Sequence, residues 1–292
     1  MFKFFNKKLP GPINFNPEKF SNRLNLIDKN FLGAETTAKA GEMESYQWDR
    51  NADKPLPNII TDYYLSRKNF KEVKTKNLKV AWLLEPISIY PDMYKWVRRN
   101  YHHFHYVFTH DKKWIKDIPN AVWIPVGGTW IEKNQRDMYF FEKKKNISFF
   151  CSDKMHTDGH KLRNEIKNGA VSSLIDMWGT GWKYLENKVD GLKEYRFHIT
   201  IENCRREGYF TEKIIDCFLT GVVPIYWGAP DIGNYFASDG IINFTDEKDL
   251  TIKLSNLPDY EKFKPFIIEN YQKALDYVAC DKFLFDFFYK NK

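Results

Sequence analysis

The stretch from Tyr195 to Pro230 constrains the fold more than any other part of the chain, because it reads as strand, helix, strand. Tyr195–Glu202 alternates apolar and polar side chains, as a strand does. Thr211 is a suitable cap for a short helix, and Val222–Trp227 is a second apolar run that Gly228 ends. A strand–helix–strand unit of this length joins parallel strands. The stretch therefore predicts an α/β protein built on a parallel sheet.

The loop 203–210 predicts an anion site, because it connects the carboxyl end of the first strand to the start of the helix. A helix N-terminus offers free backbone N–H groups and a partial positive charge, which suit a phosphate. Lys213 adds a full positive charge in the first turn. Tyr209 is able to stack on a flat ring, and Glu202 and Glu212 are able to hold sugar hydroxyls. We interpret this segment as a site for a nucleotide diphosphate attached to a polar group.

Three motifs of this stretch are more specific than a general strand–helix–strand unit. They are Ile201-Glu202-Asn203, Tyr209-Phe210-Thr211-Glu212-Lys213 and Val223-Pro224-Ile225-Tyr226-Trp227-Gly228-Ala229-Pro230. In this order they resemble the donor-binding region of the α-1,3/1,4-fucosyltransferases, glycosyltransferase family 10. A solvated ion pair of Glu212 and Lys213 is the simpler interpretation, but it explains the helix and not the ordered pattern.

The resemblance implies an inverting transfer of L-fucose from GDP-fucose to a hydroxyl of a glycan acceptor, with no metal ion or other cofactor. It also implies donor contacts at matching positions. These residues are Arg163 in HKLRNEIKN, Glu202, Asn203, Tyr209, Glu212 and Lys213. Arg163 is expected to hold the diphosphate with its planar fork. An exposed helical arginine paired with a nearby acid is the alternative for that position.

The resemblance implies a general base in the first half of the chain, and Glu85 matches it. Glu85 follows the predicted strand Leu78–Leu84, at the carboxyl end, where open α/β sheets bind ligands. A carboxylate whose pKa is raised by partial burial is able to take the acceptor proton. The family's Ser before Pro is absent from Glu85-Pro86, so the match is looser here. A strand-end acid bound to a local amide is the alternative.

The chain is expected to form two Rossmann-like domains that face each other across a cleft, the arrangement called GT-B. Strands and helices alternate clearly from Asn77 onward, which favours a parallel sheet. Residues 21–75 show no clean alternation, with helix-like pieces near Pro17–Asp28 and Ile59–Phe70, so the N-terminal domain is expected to be abbreviated. We place an acceptor-side domain at 1–145 and a nucleotide-sugar donor domain with closing helices at 146–292. A charged helix or linker at 131–146 separates them.

Composition limits the partners. The chain has 45 basic and 38 acidic residues, a net charge of +7, which suits an anionic ligand but is too small to imply nucleic acid. No run approaches the roughly 18 apolar residues of a membrane span. Four cysteines without a Cys-x-x-Cys pair favour free thiols and a cytoplasmic location. The basic, aromatic residues 1–20 are expected to pack on the body of the protein or to touch a membrane surface.

No metal site is expected. The histidines at 102, 103, 105, 156 and 160 lack a cysteine or acid with ligand spacing. The chain has no Asp-x-Asp motif, which argues against the metal-dependent GT-A class. Two alternative functions stay open: transfer of a different nucleotide sugar by the same fold, and binding of a nucleotide or carbohydrate without turnover. The acceptor is not assigned.

Overall fold

The computed structural model describes residues 22–29, 46–136, 142–180 and 182–290. These residues form two compact units with one parallel sheet each. The N-terminal unit is Met1–Val126 with Ala279–Lys292, and the C-terminal unit is Gly127–Val278. The predicted α/β class with parallel sheets is confirmed. No helix among the described residues combines the length and the apolar composition that crossing a bilayer requires.

The N-terminal unit contains a parallel sheet of six strands. They are β1 (Arg23–Ile27), β2 (Gln47–Asp49), β3 (Asn58–Thr61), β4 (Lys79–Leu83), β5 (Tyr106–Thr109) and β6 (Ala121–Trp123). Their order is β2-β1-β3-β4-β5-β6. The helices are α1 (Pro91–Asn100) and α2 (Lys112–Asp117). Pro91 suits the first turn of α1, and Met93, Tyr94 and Val97 bury one face of that helix.

Among the described residues, this unit has a six-stranded sheet, and no α-helix lies between β1 and β4. Three strands fall in the region where the sequence shows no clean pattern. The helix-like interpretation of Pro17–Asp28 was wrong where the structure describes it, because β1 lies there. Ile59–Phe70 starts within β3 and then contains short 3₁₀ helix instead of an α-helix. Between β1 and β4 the described residues form short 3₁₀ turns, at Asp62–Tyr64 and Asn69–Glu72.

The C-terminal unit has a parallel sheet of five strands, in the order β11-β10-β9-β7-β8. The strands are β7 (Lys145–Phe150), β8 (Asp176–Trp178), β9 (Tyr195–Ile201), β10 (Val223–Trp227) and β11 (Ile242–Asn243). The helices are α3 (Asp158–Asn168), α4 (Glu212–Leu219), α5 (Glu247–Ser255) and α6 (Lys264–Ala274). The predicted unit β9–α4–β10 is present, with Phe197 opposite Val223.

The last helix, α7 (Asp281–Tyr289), completes the core of the N-terminal unit. The Phe285 ring is fully buried and lies 4.8 Å from the Tyr46 ring and 4.7 Å from the Trp48 ring, between centroids. Trp48 Nε1 donates to Asp281 Oδ1 at 3.0 Å. This helix therefore belongs with the first sheet, although it is the last element of the chain.

The observed division differs from the predicted boundary at 145/146. Residues 127–131 belong to the C-terminal unit, because Gly127 N donates to Phe210 O at 3.1 Å and Thr129 Oγ1 donates to Asp216 Oδ1 at 2.6 Å. The described part of the expected charged helix at 131–146 contains one 3₁₀ turn, Lys133–Gln135. Residues 137–141 lie outside the described residues.

Replacing Phe285 by alanine should destabilise the N-terminal unit by about 3–5 kcal/mol, because it removes a buried ring from between two others. Hydrogen–deuterium exchange of peptides covering β1, β2 and β3, measured against urea concentration, checks this. Lys282→Ala, an exposed change on the same helix, should stay within about 0.5 kcal/mol. Equal exchange in both variants would mean that α7 does not stabilise this unit.

Candidate active site

Glu202, at the end of β9, fixes the start of α4. Its carboxylate is fully buried and accepts hydrogen bonds from Thr211 N at 2.9 Å and Thr211 Oγ1 at 2.7 Å. Thr211 in turn caps α4, because its Oγ1 accepts from Lys213 N. The intervening loop turns at Gly208, which has a φ of 78° and suits glycine. The predicted helix cap is therefore present, and hydrogen bonds to the Glu202 carboxylate hold the capping residue Thr211 in place.

The first turn of α4 carries an ion pair that the cap positions. Lys213 Nζ lies 3.1 Å from Glu212 Oε1 and 3.5 Å from Glu202 Oε2. Burial opposes ionisation of Glu212, but Lys213 and Lys188 outweigh it and lower its pKa to about 2. Burial raises the pKa of Glu202, and the charge of Lys213 opposes that rise.

Arg163 reaches this site because α3 packs closely on the end of β9. A Cβ at Gly159 would lie 1.8 Å from Glu202 O, so only glycine allows this approach. The Arg163 side chain is buried, and its Nη2 donates to Ile201 O and to Asn203 Oδ1, the latter at 3.3 Å. Burial lowers the pKa of Arg163, and the charges of Glu202 and Glu212 oppose this. Asn203 thus orients the guanidinium.

A cavity of about 180 Å³ lies beside the carboxyl ends of β7 and β9. Its lining consists of Phe150, Cys151, Ser152, Arg163, Lys188, His198, Ile199, Thr200, Ile201, Glu212 and Lys213. Three predicted donor residues therefore share one cavity: Arg163, Glu212 and Lys213. The other three do not line it. Glu202 and Asn203 support the residues that do, and Tyr209 is buried beside the α4 cap.

Lys188 is a third cation on this cavity, and no sequence motif indicated it. Its Nζ donates to Asp216 Oδ2 at 2.7 Å, and the other oxygen of Asp216 accepts from Thr129 Oγ1 and Trp130 N. Burial opposes protonation of Lys188, but Asp216 and Glu212 outweigh it and raise its pKa. The available signal was Asp216, an acid flanked by apolar residues of α4, because a buried acid requires a charged or hydrogen-bonding partner.

His198 is a neutral group on the same cavity. Its Nδ1 lies 2.8 Å from Ser148 Oγ, within hydrogen-bond distance. Burial and the charge of Lys188 lower the pKa of His198 to about 3. The positive charge of the lining therefore comes from Arg163, Lys188 and Lys213.

Glu85 belongs to the N-terminal unit, unlike the other six predicted residues. It follows β4 and is half-buried. Tyr94 Oη donates to the backbone carbonyl of Glu85 at 3.0 Å and lies 3.3 Å from His110 Nε2. Asp62, which the sequence analysis did not consider, follows the neighbouring strand β3 and accepts from Leu84 N at 3.1 Å.

The expected absence of a metal site stays a prediction. His102 and His103 are exposed, with ring centroids 4.3 Å apart, and the rings of His156 and His160 are 6.2 Å apart. Across 22–29, 46–136, 142–180 and 182–290, no group of three histidines, cysteines or acids is arranged to hold a metal ion.

Sequence comparison identifies similar proteins over part of the chain. Residues 140–264 match the C-terminal domain of glycosyltransferase family 10 (fucosyltransferase). The alpha-(1,3)-fucosyltransferase FucT of Helicobacter pylori is 39% identical over 64 residues, 22% of this chain and 13% of that protein. Alpha-(1,3)-fucosyltransferase B of Drosophila melanogaster is 25% identical over 187 residues, 55% of this chain and 41% of that protein. The aligned parts span less than half the length of these curated relatives.

Solved structures are similar over nearly the whole chain. The crystal structure of an α1,3-fucosyltransferase with GDP matches 96% of this chain and 94% of that chain, with a TM-score of 0.55 and 15% sequence identity. The corresponding structure with GDP-fucose matches 93% of this chain and 91% of that chain, with a TM-score of 0.52 and 15% identity. At this identity the likeness establishes a shared fold.

His198 should make the C-terminal unit less stable in acid. Because its pKa is about 3 in the folded protein against an ordinary value of 6.5, the unfolded chain binds more protons between these pH values. Stability should fall as pH falls from 6.5 toward 3, by up to about 1.4 kcal/mol per pH unit. Denaturant unfolding at pH 7 and pH 5 measures this contribution. The free energy of unfolding should fall less between these pH values in His198→Gln than in wild type.

Thr200→Val is the matched control, since Thr200 is a buried polar residue two positions along the same strand. It does not titrate in this range, so its effect on unfolding should be equal at both pH values. The same pH dependence in wild type and His198→Gln would contradict the prediction.

Proposed function

We propose that this chain, whose residues 140–264 match the C-terminal domain of glycosyltransferase family 10 (fucosyltransferase), transfers L-fucose from GDP-fucose to a hydroxyl of a glycan acceptor. The observation that carries the proposal is the cavity beside β7 and β9, where three cations and one acid share the lining. A lining with excess positive charge suits the diphosphate of a nucleotide sugar. The GDP and GDP-fucose bound in structures of the same fold support guanine as the base.

Arg163, Lys188 and Lys213 are proposed to stabilise the leaving diphosphate. Negative charge grows on the phosphate oxygen as its bond to the sugar breaks, so fixed cations stabilise the transition state more than the ground state. Arg163 has a planar fork, and Asn203 and the carbonyl of Ile201 fix one edge of it. The N-terminus of α4 adds its backbone dipole. Because these groups are cationic, the proposed reaction does not require a metal ion.

Glu85 is proposed as the general base of a single displacement with inversion. The acceptor hydroxyl loses its proton to the Glu85 carboxylate, its oxygen bonds to the anomeric carbon, and the bond from that carbon to the diphosphate breaks and releases GDP. Glu212, which lines the cavity, is proposed to contact the donor, and the buried Tyr209 is proposed to support the site without contacting the donor. Glu202 is proposed to act through Thr211 and Lys213, because both of its oxygens are already occupied.

A cytoplasmic location remains a prediction. The four buried free thiols are compatible with it. Contact of residues 1–20 with a membrane surface concerns a segment outside the described residues. The alternatives remain transfer of another nucleotide sugar and nucleotide or carbohydrate binding without turnover.

GDP should stabilise the protein without added metal. At about 100 times its dissociation constant, a ligand that binds only the folded state adds roughly 2.7 kcal/mol to the free energy of unfolding. Lys188→Met and Lys213→Met should each weaken GDP binding about tenfold or more, since each removes a charged contact. Thermal unfolding and calorimetric titration with GDP, UDP and guanosine measure both effects.

Lys161→Ala, which removes an exposed lysine of α3 that does not line the cavity, should bind GDP like wild type. Stabilisation by UDP instead of GDP would favour the alternative nucleotide sugar. Equal GDP affinity of Lys188→Met, Lys213→Met and Lys161→Ala would contradict the assignment of the cavity as the GDP site.

Glu85→Gln should lower kcat for transfer from GDP-fucose by about 10²–10⁴-fold, because it removes the proton acceptor. Its affinity for GDP should not change. Release of GDP in the presence of lactose, N-acetyllactosamine or chitobiose measures transfer, with Glu72→Gln as an exposed control in the same unit. Wild-type rates in Glu85→Gln would place the base elsewhere. A wild-type protein that binds GDP but transfers nothing would favour the binding-protein alternative.

A further inference from the structure

Asp62 and Glu85 lie at the same edge of the N-terminal sheet. They follow neighbouring parallel strands, β3 and β4, which pair with Thr61 opposite Trp82. Parallel strands end at the same edge, so the residues that follow them meet there. Asp62 is 8% exposed, and it is the more buried of the two.

The Asp62 carboxylate holds the backbone that carries Glu85. Its Oδ1 accepts from Leu84 N at 3.1 Å, and the backbone amide of Glu85 also bonds to this carboxylate. From the other side of Glu85, Tyr94 Oη donates to its carbonyl. The backbone N–H and the backbone C=O of Glu85 are therefore both hydrogen-bonded. The partner of the N–H is Asp62, an ionisable acid, and the partner of the C=O is Tyr94.

The charged and titratable groups near Asp62 come from several elements. Asp28, which follows β1, and Glu85 both disfavour its ionisation. Tyr90, which precedes α1, responds to the charges of Asp62 and Glu85, since burial and then these two acids raise its pKa. Tyr94 and His110 contact each other at the Glu85 carbonyl. Acidic neighbours therefore dominate this edge.

We propose that Asp62 is a positioning residue that fixes Glu85 and strengthens it as a base through its own negative charge. This inference rests on the proposed function, in which Glu85 takes the acceptor proton. Asp62 acts through Glu85 and is not assigned a contact with the substrate.

Because Asp62 titrates close to neutral pH, its proposed role predicts that the rate of transfer depends on pH in that range. Burial raises the pKa of Asp62 to about 7, with the charge of Glu85 adding to the rise. The interaction is mutual, so an ionised Asp62 increases the proton affinity of Glu85. Below pH 7 Asp62 should be mostly protonated, so its negative charge no longer acts on Glu85. As pH rises through 7, Asp62 becomes charged and the rate of proton removal should rise.

Asp62→Asn removes the charge and leaves one amide oxygen to accept from Leu84 N, so the charge is tested by the pH dependence of the rate and not by the rate alone. Wild-type kcat/KM for transfer from GDP-fucose to the best of the three disaccharides should rise as pH passes through 7. In Asp62→Asn that rise should disappear, with kcat at pH 8 about tenfold lower and GDP affinity unchanged. Asp111→Asn is the matched control, since Asp111 is buried, follows β5 and accepts from Lys113 N. It should keep the wild-type pH profile.

A carboxyl ¹³C NMR titration tests the coupling without an activity assay. Asp62 should titrate near pH 7 in wild type and at lower pH in Glu85→Gln, because one negative charge is removed. Equal midpoints in these two proteins, or an unchanged pH profile in a folded Asp62→Asn, would overturn the inference while leaving the proposed function intact. No transfer by wild type would overturn the proposed function and the positioning role of Asp62 with it.

Discussion

The hydrogen bonds between the Glu202 carboxylate and Thr211 determine the geometry of the C-terminal site. They join the end of β9 to the start of α4, at full burial, and they use both carboxylate oxygens. Burying a charged acid is costly unless its partners are well placed. Here the partners are a backbone amide, a hydroxyl and the nearby Lys213. Because the cap is fixed, the cation of the first helical turn has a defined position relative to the cavity.

The two sheets carry opposite charge at their carboxyl edges. In the C-terminal unit, Asp216 raises the pKa of Lys188, Lys213 lies 3.5 Å from Glu202, and the lining of the cavity is positive on balance. In the N-terminal unit, Asp28, Asp62 and Glu85 follow β1, β3 and β4. A positive edge suits a leaving diphosphate, and an acidic edge suits removal of a proton from a hydroxyl. The proposed fucosyl transfer requires both chemistries, and the residues proposed for each lie on separate sheets.

The sequence predicted the elements that have their own local signals. The unit β9–α4–β10 was predictable because Thr211 caps the helix and the apolar runs have clear periods. The strands β1 (RLNLI) and β3 (NIIT) were missed because each has only two or three apolar residues, too few to separate the period of a strand from that of a helix. Lys188 was missed because Asp216, its partner, is 28 residues further along the chain and no motif connects them. The division at 126/127 differs from the predicted boundary at 145/146, since residues 127–131 join the C-terminal unit through Phe210 and Asp216.

A matched motif does not distinguish residues that contact a ligand from residues that support those contacts. Arg163, Glu212 and Lys213 line the cavity, whereas Glu202 and Asn203 bond to the residues around it. The supporting residues constrain the site as strictly as the lining does. Gly159 contributes no side chain at all, yet any Cβ there would collide with Glu202 O and push α3, with Arg163, away from β9. The position of the guanidinium thus depends on the absence of a side chain four residues earlier in the helix.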